Sequence, residues 1–198
     1  MATSDFSSRK TGRIAIATGV AGIVALVFLM LLVWIVELGI INDVFNSVMG
    51  ILSGILAWML HPEHHSRSRL LSQVALILAV VGALIVVAGS VLVISGTTGF
   101  VLAGWYSGIG YALIGLWLAA FCFSMRGGNT LPRNLVTFGL IAGVVMALGL
   151  LDISGILAGI DSMESLTGIL YVGYLGFLGV YILYPIWTIR LGRTLLSQ

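Results

Sequence analysis

Charge is what this chain has least of. Only 8% of its 198 residues are Asp, Glu, Lys or Arg, against 60% hydrophobic side chains and a mean hydropathy of +1.16. That is too little polar surface for a water-soluble globule of this size. The nine basic residues lie in small scattered groups, so the net charge of +2 cannot form the phosphate-neutralising groove that a nucleic-acid partner needs. Cysteine is nearly missing as well. Cys122 alone excludes an internal disulfide and any multi-thiolate metal site, and within LAAFCFSMR it reads as a small packing hydrophobe. Strict apolar-polar alternation is also lacking, which excludes a transmembrane barrel with its many alternating segments of about ten residues.

What fills the chain is a series of apolar runs: Ile14 to Val36, Val44 to Leu60, Leu70 to Ile94, Gly99 to Phe123, Asn134 to Leu151 and Leu166 to Ile189. About 20 helical residues, rising about 1.5 Å each, cross a hydrocarbon layer of about 30 Å. Four runs do so comfortably, while the second and fifth are short. The second is expected to borrow Asn42 on its amino side. The fifth is expected to tilt or to continue into DISGILAGID as a helix lying at the membrane surface. Helices satisfy their own backbone hydrogen bonds in lipid, so the expected fold is all-α. It is a polytopic, compact bundle of six transmembrane helices with short loops, spanning 13–190 between tails at 1–12 and 191–198. The first run is long for the core of a cleaved signal and reads as a retained anchor.

All the bases fall at one end of such a bundle. Arg9, Lys10 and Arg13 precede the first span, Arg67 and Arg69 separate the second and third, Arg126 and Arg133 the fourth and fifth, and Arg190 and Arg193 follow the sixth. The other end carries Glu37, Asp43, Asp152, Asp161 and Glu164. The positive-inside rule then puts both termini in the cytoplasm of a cell, with a bacterial inner membrane the expected location. Links are short, SGTTG being the one between the third and fourth spans, and leave no room for an extramembrane catalytic domain.

Apolar helices gain little by hiding from lipid, so close backbone contact has to hold them together. Gly50 with Gly54, Gly104 with Gly108, and Gly139 with Gly143 each place two glycines on one helical face. In the sixth span Tyr171, Tyr174, Phe177, Tyr181 and Tyr184 share one arc, with Gly168, Gly176 and Gly179 largely opposite. The glycine side suits a neighbouring helix. The aromatic side either fills the bundle or forms a ligand or partner face for lipid, a quinone, a pigment or another subunit. A weak echo between the stretches after Arg13 and after Arg133 favours a pseudo-symmetric bundle.

Polar candidates are few. His61, His64 and His65 surround Pro62, and would converge on a metal if Pro62 opened a new short helix; an ordinary interfacial loop is the plainer reading, and no metal site is assigned. Asp152, Asp161 and Glu164 would form a cation-attracting vestibule or simply mark the outer boundary; Asp152 stands out because a short fifth span draws it toward hydrocarbon. Ser107 has no nearby histidine to activate it, so no catalytic residue is assigned. No Asp, Glu, Lys, Arg or His is expected deep within any run, which argues against proton-coupled transport. The function expected is therefore that of a non-enzymatic membrane subunit or small embedded binding protein. It would contact partner helices or a second copy, lipid or an apolar cofactor; the alternative is a small transporter or channel for a cation or small solute.

Overall fold

The computed structural model describes residues 2–66, 68–128, 130–166 and 168–197, with side chains from Ser8 onward. Arg67 lies outside the described residues. The chain is all-helical, with α1 at Ala2–Leu31, a 3-10 turn at Val36–Leu38, α2 at Gly39–His65, α3 at Arg69–Ile94 and α4 at Phe100–Met125. Then come α5 at Arg133–Ala147, a 3-10 turn at Leu148–Asp152, α6 at Ile153–Leu157, α7 at Gly168–Leu178, a π turn at Gly179–Leu183 and α8 at Tyr184–Leu196. These make six spans long and apolar enough to cross a membrane: Ser8–Leu31, Val36–His65, Arg69–Ile94, Phe100–Met125, Arg133–Leu157 and Gly168–Leu196. The protein is a polytopic membrane protein packed as a compact bundle.

Neighbours in sequence are neighbours in space, and α8 returns to pack along α1, so the spans close into a ring. The fourth is drawn inward, touching α2, α6 and α7 besides α3 and α5. It is 61% buried, against 33% for the first, third and fifth spans. The most hydropathic span, α3, meets only α2 and α4 extensively and turns Leu70, Ile77, Leu84 and Val91 outward at heptad spacing. Apolar residues belong against lipid here, and the less apolar spans make the interior.

Close backbone contact does hold the bundle, partly through pairs that the spacing did not mark. Gly82 meets Gly110 between α3 and α4, Gly115 meets Gly143 between α4 and α5, and Gly12 meets Gly192 between α1 and α8. Of the expected residues, Gly50 and Gly54 face Val86 and Ala83, Gly139 faces Trp187 and Cys122, Gly176 faces Gly149, and Gly179 faces Met146. Gly108 lies against the carboxyl group of Asp152 rather than a helix backbone, and Gly104 faces open space, because the neighbouring Trp105 takes the inward position. At the acidic end, Gly96 and Gly159 adopt φ of 69° and 63° and close α3 and α6 with paired bonds such as Thr97 N–H to Leu92 O at 2.9 Å.

Two short runs turn out to be full spans. The second is continuous from Gly39 to His65 because Asn42, Asp43 and Asn46 turn inward, where they lower hydropathy without meeting lipid. Pro62 sits inside the last turn of α2 and does not open a new helix; its missing N–H and ring clash matter little where the helix ends one turn later. The fifth span runs on through the 3-10 turn into α6 rather than along the surface, for Gly155 packs on the ring of Trp105 inside the bundle.

Candidate functional site

The interior of the acidic half is polar, and α2 supplies its spine. Asn42, Asp43, Asn46 and Ser53 recur at helical spacing on the buried face of α2. Asn42 donates Nδ2–H to Ala25 O of α1 at 2.8 Å. Asn46 is the hub. Its Nδ2 donates to the Tyr181 hydroxyl at 2.9 Å, its Oδ1 lies 3.2 Å from the hydroxyls of Tyr181 and Tyr111, and its backbone carbonyl accepts from Tyr111 at 2.8 Å. One turn further, Tyr184 donates to Ser53 Oγ at 2.9 Å, and Ser53 donates to Met49 O at 2.7 Å. Four spans are thus tied together where lipid would leave each group without a partner.

The π turn in the sixth span explains how Tyr181 and Tyr184 arrive there. Pro185 has no N–H to offer the carbonyl four residues back and its ring would collide with it, and the wider turn at Gly179–Leu183 absorbs the conflict. Gly19 and Gly22 of α1 leave the room that Pro185 needs. The expected aromatic face therefore divides. Tyr171 points outward, Tyr174 and Phe177 are half-buried, and Tyr181 and Tyr184 are interior. Trp105, Tyr174, Phe177 and Tyr181 follow one another with centroid separations of 5.3, 5.3 and 6.0 Å, so these rings fill the bundle against each other. A single exposed face for a quinone or pigment is not what the structure contains. The Tyr174 hydroxyl donates to Met163 Sδ at 3.0 Å.

Two carboxyl groups are buried inside the spans, although none was expected deep within an apolar run. Asp43 is buried on α2, one turn before the Asn46 hub. Asp152, in the 3-10 turn, is fully buried, wedged between Gly108 of α4 and Gly173 of α7, and among the described residues neither of its oxygens has a hydrogen-bond partner. A methyl group at either glycine would collide with it. Among the described residues, the Arg and Lys side chains flank the opposite ends of the spans, away from both carboxyl groups.

The three proposed vestibule residues do not come together. Asp161 caps α4 from a distant loop, accepting Gly99 N–H at 2.7 Å and Leu102 N–H at 2.9 Å. Glu164 is exposed in its own short turn. Asp152 contacts Gly108, about 13 Å further along α4 at about 1.5 Å per residue, and is shut away from that surface. At the basic end the histidines also part. His64 turns inward to Ser124 Oγ at 3.0 Å and the edge of Phe121, whereas His61 and His65 lie side by side toward α3. Among the described residues no three His, Cys, Asp or Glu side chains group closely enough to hold a metal. Ser107 packs against Gly89.

The signals for the polar spine were Asn42, Asp43 and Asn46, outside or at the edge of an apolar run, and Pro185 within another. No family model, curated protein or solved structure matches the chain.

Proposed function

We propose that the protein is a small membrane carrier or conductor of a proton or small cation, with Asp152 and Asp43 as the groups that bind it. The observation that carries this reading is the Asp152 carboxyl group, fully buried in a membrane bundle with both oxygens unpartnered among the described residues. A carboxyl group in such a place must acquire a proton, a cation or water, and a charge there without one costs several kcal/mol. Ionisable residues retained inside spans mark ion pathways and proton relays. Two irregularities support the reading: the fifth span breaks at Leu148–Asp152 and the sixth widens at Gly179–Leu183, both beside the polar interior. Broken helices of this kind accompany binding sites in transporters. The basic end faces the cytoplasm on this reading.

The test is purified protein in liposomes loaded with a pH-sensitive dye, with imposed gradients of protons and monovalent cations. Wild type is expected to dissipate at least one gradient, Asp152→Asn to abolish that flux, and Asp161→Asn, which alters a cap outside the site, to retain it. Absence of flux in wild type, or equal flux in Asp152→Asn, overturns the proposal.

One feature favours a second reading, that of a subunit packed against other membrane helices or a second copy. Ile51, Gly54, Ile55, Trp58, Val80, Ala83, Leu84 and Val87 line a wholly apolar groove of about 330 Å³ between α2 and α3, open to the lipid side. Its floor of Gly54 and Ala83 admits a close helix. Native mass measurement in mild detergent tests it; a lone monomer free of other chains refutes it.

A further inference from the structure

The histidine cluster takes no part in the acidic interior, and its geometry has a chemistry of its own. His61 and His65 are one turn apart on α2, facing α3, with ring centroids 5.3 Å apart and ring planes tilted by 50°. Two imidazoles sharing a tetrahedral metal have nitrogens about 2.05 Å from it, and adding about 1.15 Å from nitrogen to ring centre puts the centroids about 5.2 Å apart. At a square-planar angle the same sum gives about 4.5 Å. The observed separation, which one helical turn also gives, leaves room for a shared tetrahedral metal.

The surroundings orient His61 as a metal ligand is commonly oriented. His61 Nδ1 lies 2.8 Å from Ser72 Oγ, a fully buried hydroxyl on α3. In the tautomer that donates this bond, the Nε2 lone pair is left free, and a metal-binding histidine commonly donates its other N–H to a fixed oxygen in this way. His65 Nδ1 is buried without a hydrogen-bond partner. Glu63, half a turn away, and His64, turned toward Ser124, lie on other faces of α2.

We propose that His61 and His65 form a two-histidine clamp for a divalent transition metal, Zn²⁺ by preference, at the basic end of the bundle between α2 and α3, with water completing the tetrahedron. This proposal is independent of the carrier reading. Imidazole suits zinc, copper and nickel, while the hard cations Mg²⁺ and Ca²⁺ seek oxygen ligands that this pair does not supply. A bound metal would fasten the last turn of α2 and, through Ser72, the first turns of α3.

The experiment is titration of the full-length, tag-free protein in detergent with Zn²⁺ against a colorimetric chelator, and with Co²⁺, whose visible absorption reports four-coordinate geometry. Wild type is expected to take up one equivalent of Zn²⁺, to reject Mg²⁺ and to give the tetrahedral Co²⁺ spectrum. His61→Gln and His65→Gln should each lose uptake, His64→Gln should retain it, and Ser72→Ala should weaken it by about tenfold, as loss of an orienting partner does. Uptake that is equal in wild type and His65→Gln would overturn the clamp. So would uptake lost in His64→Gln while the protein stays folded, or a wild-type Co²⁺ spectrum of octahedral type. His65 makes no hydrogen bond through Nδ1, so its replacement keeps the test valid even if His61→Gln fails to fold.

Discussion

Asn46 should be the energetic centre of the polar interior, and a double-mutant cycle can test that. In Asn46→Ala, the Tyr181 hydroxyl loses its donor at 2.9 Å and its acceptor at 3.2 Å and keeps only the weaker approach of the Asn42 side chain, so the full cost of an orphaned hydroxyl is an upper limit. A buried hydroxyl left without a partner costs about 1–3 kcal/mol. Hydrogen bonds in membrane bundles average only about 0.6 kcal/mol in coupling, with a ceiling near about 1.7 kcal/mol. The structure places this pair toward the upper part of that range, because both atoms of the Asn46 amide engage the same hydroxyl. We therefore expect a coupling of about 1 kcal/mol between Asn46→Ala and Tyr181→Phe. Tyr111 provides the internal contrast. Its single proton has the backbone carbonyl of residue 46 at 2.8 Å, a better acceptor than Oδ1 at 3.2 Å, and that carbonyl survives the substitution. Coupling of Asn46→Ala with Tyr111→Phe should accordingly stay below about 0.5 kcal/mol. Reversible unfolding by SDS in mixed micelles measures all of the variants on one scale. Additive effects at 46 and 181, or a larger coupling to 111 than to 181, would show that this network does not hold the bundle as described.

Gly110→Ala should destabilise by about 1–3 kcal/mol, because its new methyl would press on the Gly82 carbonyl across α3 and α4, whereas Gly104→Ala, which meets open space, should leave the same unfolding midpoint unmoved or raised. Asp161→Ala removes the acceptor for two N–H groups at the start of α4 and should cost about 1 kcal/mol, read in the same assay. Membrane-impermeant thiol labelling of a Cys122→Ala background should reach Ser162→Cys from outside intact cells and spare Ser66→Cys; the reverse pattern would invert the assigned orientation.

Hydropathy made the six spans readable, since lipid imposes the same demand on every crossing segment wherever it sits in the bundle. The places where that reading came up short are places where helix faces turn inward. Asn42 and Asp43 cut the second run short on paper, yet their side chains, with that of Asn46, occupy the interior and α2 continues through them. Asp152 likewise marked an expected end to the fifth span, and instead lies within it between two glycines. The arc of aromatics on the sixth span was visible, but whether it met lipid or protein depended on where α2 and α4 stand, which no periodicity within one helix reveals. The π turn was hidden for a related reason: Pro185 announces a local conflict, but its resolution by a wider turn depends on the space left at Gly19 and Gly22 of α1. The histidines show the same limit, since one turn of α2 carries all three and only the neighbouring Ser72 and Ser124 divide them.

The meeting of Gly12 with Gly192 has a bearing on biogenesis. α1 cannot reach its lateral neighbour α8 until that later helix has left the ribosome. Until then α1 has α2 alone to lean on, with Gly19 and Gly22 presented to bilayer instead of to Pro185. Docking of α8 on α1 should consequently be slow relative to the docking of adjacent hairpins, since the partners lie far apart in sequence.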